Sequence, residues 1–287
     1  MNKRRLQFTG ILLAAVFLLA SAVPALACTS VYVGSEASSE GTTIIARSED
    51  QPDPQRWPKE FHVEEARSEA GRTITDRATG FAVAIPETTC KYTYLIDGDS
   101  PGDGQYYACC TNEYGVGVMG SVTIHPSGEW EALDPVRDRY SGLREAIIPA
   151  IVACQAASAK NGVDILAGYM DAYGASECGT YFIIDRDDAW IFEIYGGSSY
   201  AAVRLPKDKV LVFGNEPVIW AFDFNDGEIR YKNLVSAVEL EADAANVQHL
   251  VFLPIQMFER YGKGMLQIMF GGMSPEDAIN EAEQDMH

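Results

Sequence analysis

Histidine is scarce in this sequence, four in 287 residues, and His62, His125, His249 and His287 share no H-E-x-x-H or other ligand spacing. A zinc centre depends on such spacing, so none is expected. Basic residues are also few, 22 Lys and Arg against 41 Asp and Glu, giving a formal charge of −19. So acidic a chain has no electrostatic footing on nucleic acid or on an anionic membrane. The six cysteines include no C-x-x-C pair. No G-x-S-x-G elbow occurs, and Gly262-Lys263 is followed by Gly264, so a Walker phosphate loop is absent as well. Two partial motifs also fall away. Gly115-Val116-Gly117-Val118-Met119-Gly120 matches G-x-G-x-x-G, but Ser121 to Ile124 reads as strand where a dinucleotide site needs a helix N-terminus. Asp97, Asp99 and Asp103 crowd a Gly-rich loop, but Pro101 and the missing twelfth-position Glu spoil a calcium loop. The sequence therefore implies no metal and no organic cofactor.

What the sequence does carry begins at its start. Lys3, Arg4 and Arg5 precede an apolar run from Gly10 to Ala20, and Ala25-Leu26-Ala27 closes the segment. A charged region, a short apolar core and an A-x-A site describe a secretory signal peptide over residues 1–27. The core is shorter than the roughly 20 residues of a membrane span. Cleavage after Ala27 makes Cys28 the first residue of a mature chain, residues 28–287. It also removes three positive charges and no negative one. The mature chain is expected outside the cytoplasm (periplasmic, extracellular or at the cell surface) with no membrane attachment after cleavage. Lipid attachment to Cys28 is the competing fate, but it usually wants Leu three residues before the Cys, and here that position is Ala25.

The mature start, C-T-S-V-Y-V-G, alternates polar and β-branched residues. A polar Ser35 to Gly41 turn and T-T-I-I-A-R from Thr42 to Arg47 follow. This pattern predicts a β-hairpin with Cys28 at the head of its first strand. Residues 51–59 are Pro-rich and read as surface loop. Further strands are predicted at 92–97, 106–111, 115–124, 181–185, 190–195, 200–205 and 210–213. Helices are predicted over 142–158 and 163–173, with Asn161-Gly162 as the stop between them, and again from Ser274-Pro275-Glu276 onward. Strands on either side of a helical pair indicate an α+β layered fold in one domain. Cys90, Cys109, Cys110, Cys154 and Cys178 leave one or two disulfides open and unassigned, and the sequence leaves open whether the chain is a homo-oligomer.

An N-terminal cysteine brings its own base, because an α-amine titrates near pH 7.7–8.0 and can take the thiol proton directly or through one water. If the hairpin pairs, Arg47-Ser48-Glu49-Asp50 returns beside Cys28, where Arg47 would favour a thiolate and Asp50 would orient the amine.

These residues carry a resemblance. C-T-S-V-Y-V-G with A-S-S-E-G-T-T-I-I-A-R-S-E-D resembles the opening of the dipeptidase A family of cysteine N-terminal-nucleophile (Ntn) hydrolases, which is distantly similar to penicillin V acylases and bile salt hydrolases. N-E-Y-G-V from Asn112, S-G-L-R-E-A from Ser141 and W-I-F-E-I from Trp190 extend the likeness, which runs from Cys28 to about Ile219. The resemblance implies a four-layer α/β/β/α sandwich of two antiparallel sheets. It implies a catalytic set of Cys28, Arg47 and Asp50, with Asn112 and Asn215 as oxyanion donors. The implied partner is a small peptide, dipeptides first, with N-acyl amides of the penicillin V or bile salt type as the alternative. The family commonly carries His where this chain has Gly196-Gly197-Ser198-Ser199, and its members are longer. A non-catalytic exported binding lipoprotein anchored at Cys28 is the remaining reading.

Overall fold

The computed structural model describes residues 28–49, 59–97, 106–121, 124, 126, 128–219 and 230–232. The expected signal peptide, the Pro-rich stretch before Lys59 and the helix from Ser274 lie outside them. Two antiparallel sheets and a helical layer make up the described fold. The small sheet has the order β14-β1-β2, formed by Val210–Phe213, Ser30–Val33 and Ile44–Arg47. The large sheet has eight strands in the order β15-β13-β12-β11-β10-β9-β8-β3. These are Arg230–Lys232, Tyr200–Arg204, Ala189–Ile194, Gly179–Ile184, Gly117–Ser121, Tyr107–Asn112, Tyr92–Asp97 and Lys59–Glu64. Two short hairpins, β4 (Arg67–Ser68) with β7 (Thr88–Thr89) and β5 (Thr73–Thr75) with β6 (Ala82–Ala84), complete the sheet structure. The helices are α1 (Gly128–Leu133), α2 (Ile148–Ala153) and α3 (Ala159–Tyr173).

Strand alternation sorts the large sheet's side chains into two cores. Tyr181, Ile183, Trp190, Phe192 and Val118 pack with α2 and α3 on one face. Met119, Phe182, Ile191 and Ala201 meet Tyr32 and Phe213 of the small sheet on the other. Because β10, β11 and β12 are covered on both faces, they read as nearly unbroken apolar runs rather than alternating ones. Phe182 anchors the sheet-to-sheet contact, with ring centroids 6.3 Å from Tyr32 and 5.8 Å from Phe213. Each such pair contributes about 0.5–1.5 kcal/mol beyond its area burial.

In the small sheet, Ser30, Tyr32 and Phe213 face the large sheet and are buried. Ile44, Val210 and Val212 lie on the opposite face, 45 %, 57 % and 61 % exposed. That outer face is apolar on all three strands, as a covered face is. The second helical layer of the four-layer arrangement would sit there, and it has no counterpart among the described residues.

The helical pair differs from the sequence expectation in two places. The helix predicted over 142–158 is reduced to α2, because the chain before it pairs with residues 174–176 instead. Leu143 N–H donates to Gly174 O at 2.9 Å and Ser176 N–H to Leu143 O at 2.9 Å. Gly142 permits this, since a Cβ there would lie 2.6 Å from Ser176 N. Asn161-Gly162 is not a helix stop. It lies in the first turn of α3, capped by Ser158, whose Oγ accepts from Asn161 N–H at 3.2 Å. Gly162 is there for packing, as a Cβ would meet Ile183 Cγ2 at 2.8 Å and Val152 Cγ1 at 3.0 Å. The G-x-G-x-x-G stretch is strand over Gly117–Ser121, as expected. All six cysteines are free thiols.

Candidate active site

The hairpin pairs as the sequence predicts. Ser30 stands opposite Arg47, and the ladder runs one row further, with Thr29 N–H donating to Ser48 Oγ at 3.1 Å and Ser48 N–H to Thr29 O at 2.9 Å. On the other side of β1, Ser30 stands opposite Phe213. On the β2 side the residue after Ser48 is Glu49, beside Cys28, while on the other side the pairing with β14 ends at Phe213 and Asn215 follows two residues later. Cys28 shares the inner-face parity of Ser30 and Tyr32. It is partly buried. Asp50, the third expected catalytic residue, lies outside the described residues.

Arg47 is deeply embedded, with 5 % of its side chain exposed. Its Nη1 donates to Gly120 O and to Glu145 Oε1, and its Nη2 donates to Glu49 Oε1. The β9–β10 ladder stops at Met119 opposite Cys109, one residue short of Gly120, and the Gly120 carbonyl takes the guanidinium. Gly120 needs to be glycine there, because a Cβ would meet the Tyr181 ring at 2.5 Å and Glu145 Cγ at 3.2 Å. Lys59, at the start of β3, donates to the other Glu49 oxygen. Burial opposes the Arg47 charge, but Glu145, Tyr106 and Glu49 outweigh it and hold its pKa above the usual value. Arg47 is therefore a fixed cation beside the Cys28 strand.

Removing it would strand the buried Glu145, so Arg47→Ala is expected to lower unfolding free energy by about 3–5 kcal/mol as well as activity. Urea unfolding of the variant checks the stability loss. Arg47→Lys, which keeps the charge but not the fork that reaches three acceptors, is expected to recover only part of it.

Glu145, Glu49, Lys59 and Tyr106 are the residues that sequence reading missed. Glu145 was visible within S-G-L-R-E-A, but nothing local says that it meets an arginine 98 positions away. Its own backbone is tied down too: Glu145 N–H donates to Glu177 Oε1 at 2.6 Å, and Arg144 pairs with Asp76 at 3.0 Å and Glu177 at 3.5 Å.

Asn112 is not in this site. Its Nδ2 donates to Ala153 O at 3.0 Å and Ala156 O at 2.7 Å, while its Oδ1 accepts from Tyr114 N–H and Val116 N–H, both at 3.0 Å. The carboxamide is fully engaged in clamping the β9–β10 turn to the end of α2, at the opposite end of β10 from Gly120. The expected oxyanion role for Asn112 is corrected to a structural one.

Asn215 lies in the segment that leaves β14, two residues past the Ser30–Phe213 pair. That segment is held by Glu193, which is fully buried on β12. Glu193 Oε1 accepts from Val218 N–H at 2.6 Å and Thr180 Oγ1 at 3.3 Å. Its Oε2 accepts from Tyr195 Oη at 2.8 Å and Ile219 N–H at 3.1 Å. Burial pushes the Glu193 carboxyl up to about 7 despite these four hydrogen bonds, which favour the charged form. The folded state thus binds this proton more tightly than the unfolded state. The contribution is fully present below the ordinary carboxyl range and is lost as pH rises through about 7. Thermal unfolding of the wild type is expected to show this fall in stability between about pH 5 and pH 7, and Glu193→Gln is expected to flatten it.

At the neighbouring β12–β13 turn, Asp134 accepts from Ser198 N–H at 3.0 Å, Ser198 Oγ at 2.8 Å and Ser199 N–H at 2.8 Å. This fixes the Gly196-Gly197-Ser198-Ser199 turn.

The thiols differ in a way that bears on chemistry. Burial pushes Cys90, Cys109 and Cys110 up, and it takes Cys154 and Cys178 up to about 12. A thiol held protonated at neutral pH is a poor nucleophile. Among the described residues no group of three or more His, Cys, Asp or Glu side chains is arranged to hold a metal ion. No described helix is long and apolar enough to cross a membrane.

Comparison with known proteins decides the family. The model of Peptidase family C69 matches residues 27–253. The chain belongs to peptidase family C69. Its similar relatives include a probable dipeptidase of Salmonella dublin, 32 % identical over 201 residues, covering 70 % of this chain and 46 % of that protein. A probable dipeptidase B of Streptococcus pyogenes serotype M1 is 29 % identical over 217 residues, covering 75 % of this chain and 42 % of that protein. The chain therefore spans less than half the length of these curated C69 relatives. Among solved structures, penicillin V acylase from Agrobacterium tumefaciens overlaps at a TM-score of 0.40 and 17 % identity, covering 64 % of this chain and 51 % of that one. Likeness at that level is too low to support the fold, which rests on the strand pairing above.

Proposed function

We propose that this C69 chain is an exported cysteine peptidase of the N-terminal-nucleophile type, hydrolysing short peptides, dipeptides first, through Cys28. The observation that carries the reading is the pairing of β1 with β2, which brings the Arg47 strand end beside Cys28, while the segment that carries Asn215 leaves β14 at the same end of the small sheet. The burial of Cys90, Cys110, Cys154 and Cys178 supports it.

The chemistry follows from these groups. Once residues 1–27 are removed, the Cys28 α-amine takes the thiol proton, and the thiolate attacks the scissile carbonyl carbon. A C–S bond forms, and the carbonyl oxygen becomes an oxyanion for which the Asn215 carboxamide is the proposed donor. Such donors are worth on the order of 10²–10³ in kcat. The intermediate collapses as the C–N bond breaks, and the α-ammonium returns its proton to the departing amine. Water, giving a proton to the same amine, then attacks the thioester, breaks the C–S bond and releases the acid. Arg47 keeps its charge throughout and favours the thiolate. Asp50 is proposed to orient the amine.

A panel of dipeptides, acyl-amino acids and penicillin V, assayed with purified protein beginning at Cys28, tests the proposal. Dipeptide turnover is expected. Turnover confined to N-acyl compounds would reassign the substrate class, and none at all would leave a binding protein.

A further inference from the structure

A buried carboxylate normally sits beside a cation, yet the four donors on Glu193 are all uncharged. Two of them are consecutive backbone amides of the segment that carries Asn215. They engage opposite oxygens, Val218 N–H on Oε1 at 2.6 Å and Ile219 N–H on Oε2 at 3.1 Å. The remaining two, Thr180 on β11 and Tyr195 just after β12, belong to the large sheet and its rim. Glu193 thus straps the end of the small sheet to the large one. The strap is needed because the β14 ladder ends at Phe213, while Pro217 and Ile219 beyond it are buried and the residues between are partly so. Buried amides there require acceptors, and an apolar residue at position 193 would leave two of them unpaired. A neutral carboxamide could serve only one, since its second arm is itself a donor.

We propose that Glu193 is a positioning residue that fixes the 215–219 segment and so holds the Asn215 carboxamide at the Cys28 end of the small sheet. This rests on the reading of Asn215 as an oxyanion donor. Glu193 touches neither substrate nor the reacting atoms. Misplacing a catalytic group by about 1 Å costs on the order of 10²-fold, so the strap has catalytic weight beyond its contribution to folding.

A double-mutant cycle on the mature protein, read as kcat, tests this. Glu193→Gln is expected to lower kcat by about 10- to 100-fold with a much smaller change in KM. Glu193→Asp keeps both acceptor oxygens and is expected to recover part of the loss. In an Asn215→Ala background, Glu193→Gln is expected to lower kcat by no more than about twofold further, because nothing remains to be positioned. If Asn215→Ala is impaired but the two losses multiply, or if Glu193→Gln retains wild-type kcat, the positioning role is wrong while the Asn215 reading stands. If Asn215→Ala turns over normally, the Asn215 reading fails and the proposal fails with it. Should Glu193→Gln not fold, Val218→Pro deletes a single donor to the intact carboxylate and enters the same cycle with the same expected outcomes.

Discussion

Cys28→Ala is expected to abolish hydrolysis with the fold retained. Deleting the nucleophile of an acyl-transfer site costs on the order of 10⁶ in kcat, because no other group in the site can form the acyl intermediate. The other thiols do not substitute, since burial holds Cys90, Cys109, Cys110, Cys154 and Cys178 above the usual thiol range. Folding should survive because the pairing of β1 begins one residue later, where Thr29 is bonded to Ser48 on both sides of the ladder. The structural core contacts begin with Ser30 and Tyr32. Turnover and urea unfolding measured on the same preparation separate the two effects. Near-normal turnover would move the chemistry away from Cys28, and a collapsed unfolding transition would make the loss structural.

The hairpin that opens the site was legible because one physical rule fixed it. Alternating β-branched residues on both sides of a Gly-containing turn pair antiparallel, and pairing sets which residues face each other. The strands buried on both faces were legible from their apolar length, though not their partners.

The rest failed for identifiable reasons. Arg47 was visible, but its acceptors were not, because Gly120 and Glu145 arrive from 73 and 98 positions away. Asn112 ends β9 and Asn215 follows the end of β14 by two residues, and sequence alone cannot say whether such a carboxamide faces a ligand or clamps its own turn. Its four hydrogen bonds to backbone decide that. Asn161-Gly162 looked like a stop because glycine usually ends helices, yet here glycine is the only residue that fits against Ile183. The strands within 59–89 were missed because most are two or three residues long with exposed polar positions, too short to show a period.

The second large effect concerns the amine rather than the thiol. A single residue left in front of Cys28 turns the α-amine into an amide, which accepts no proton at neutral pH, and also occupies space beside the Arg47 strand end. General acid–base catalysis contributes about 10²–10⁴-fold, and the extended chain is expected to lose at least that. An ordinary cysteine–histidine pair would be indifferent to the extension. His62, the one histidine among the described residues, is engaged with Glu60 at 2.9 Å and stacked on Tyr94, on the edge strand of the large sheet. Replacing His62, His125 and His249 by Gln is accordingly expected to leave activity in place. The most direct test of the N-terminal-nucleophile claim is therefore a comparison of one preparation before and after trimming. The chain is produced without export, carrying a removable extension, and its mass and dipeptide turnover are measured on both sides of the cleavage. Turnover that emerges only when the mass shows Cys28 at the N-terminus is the predicted result. An extended chain, confirmed by mass as unprocessed, that hydrolyses as fast as the trimmed one would contradict it.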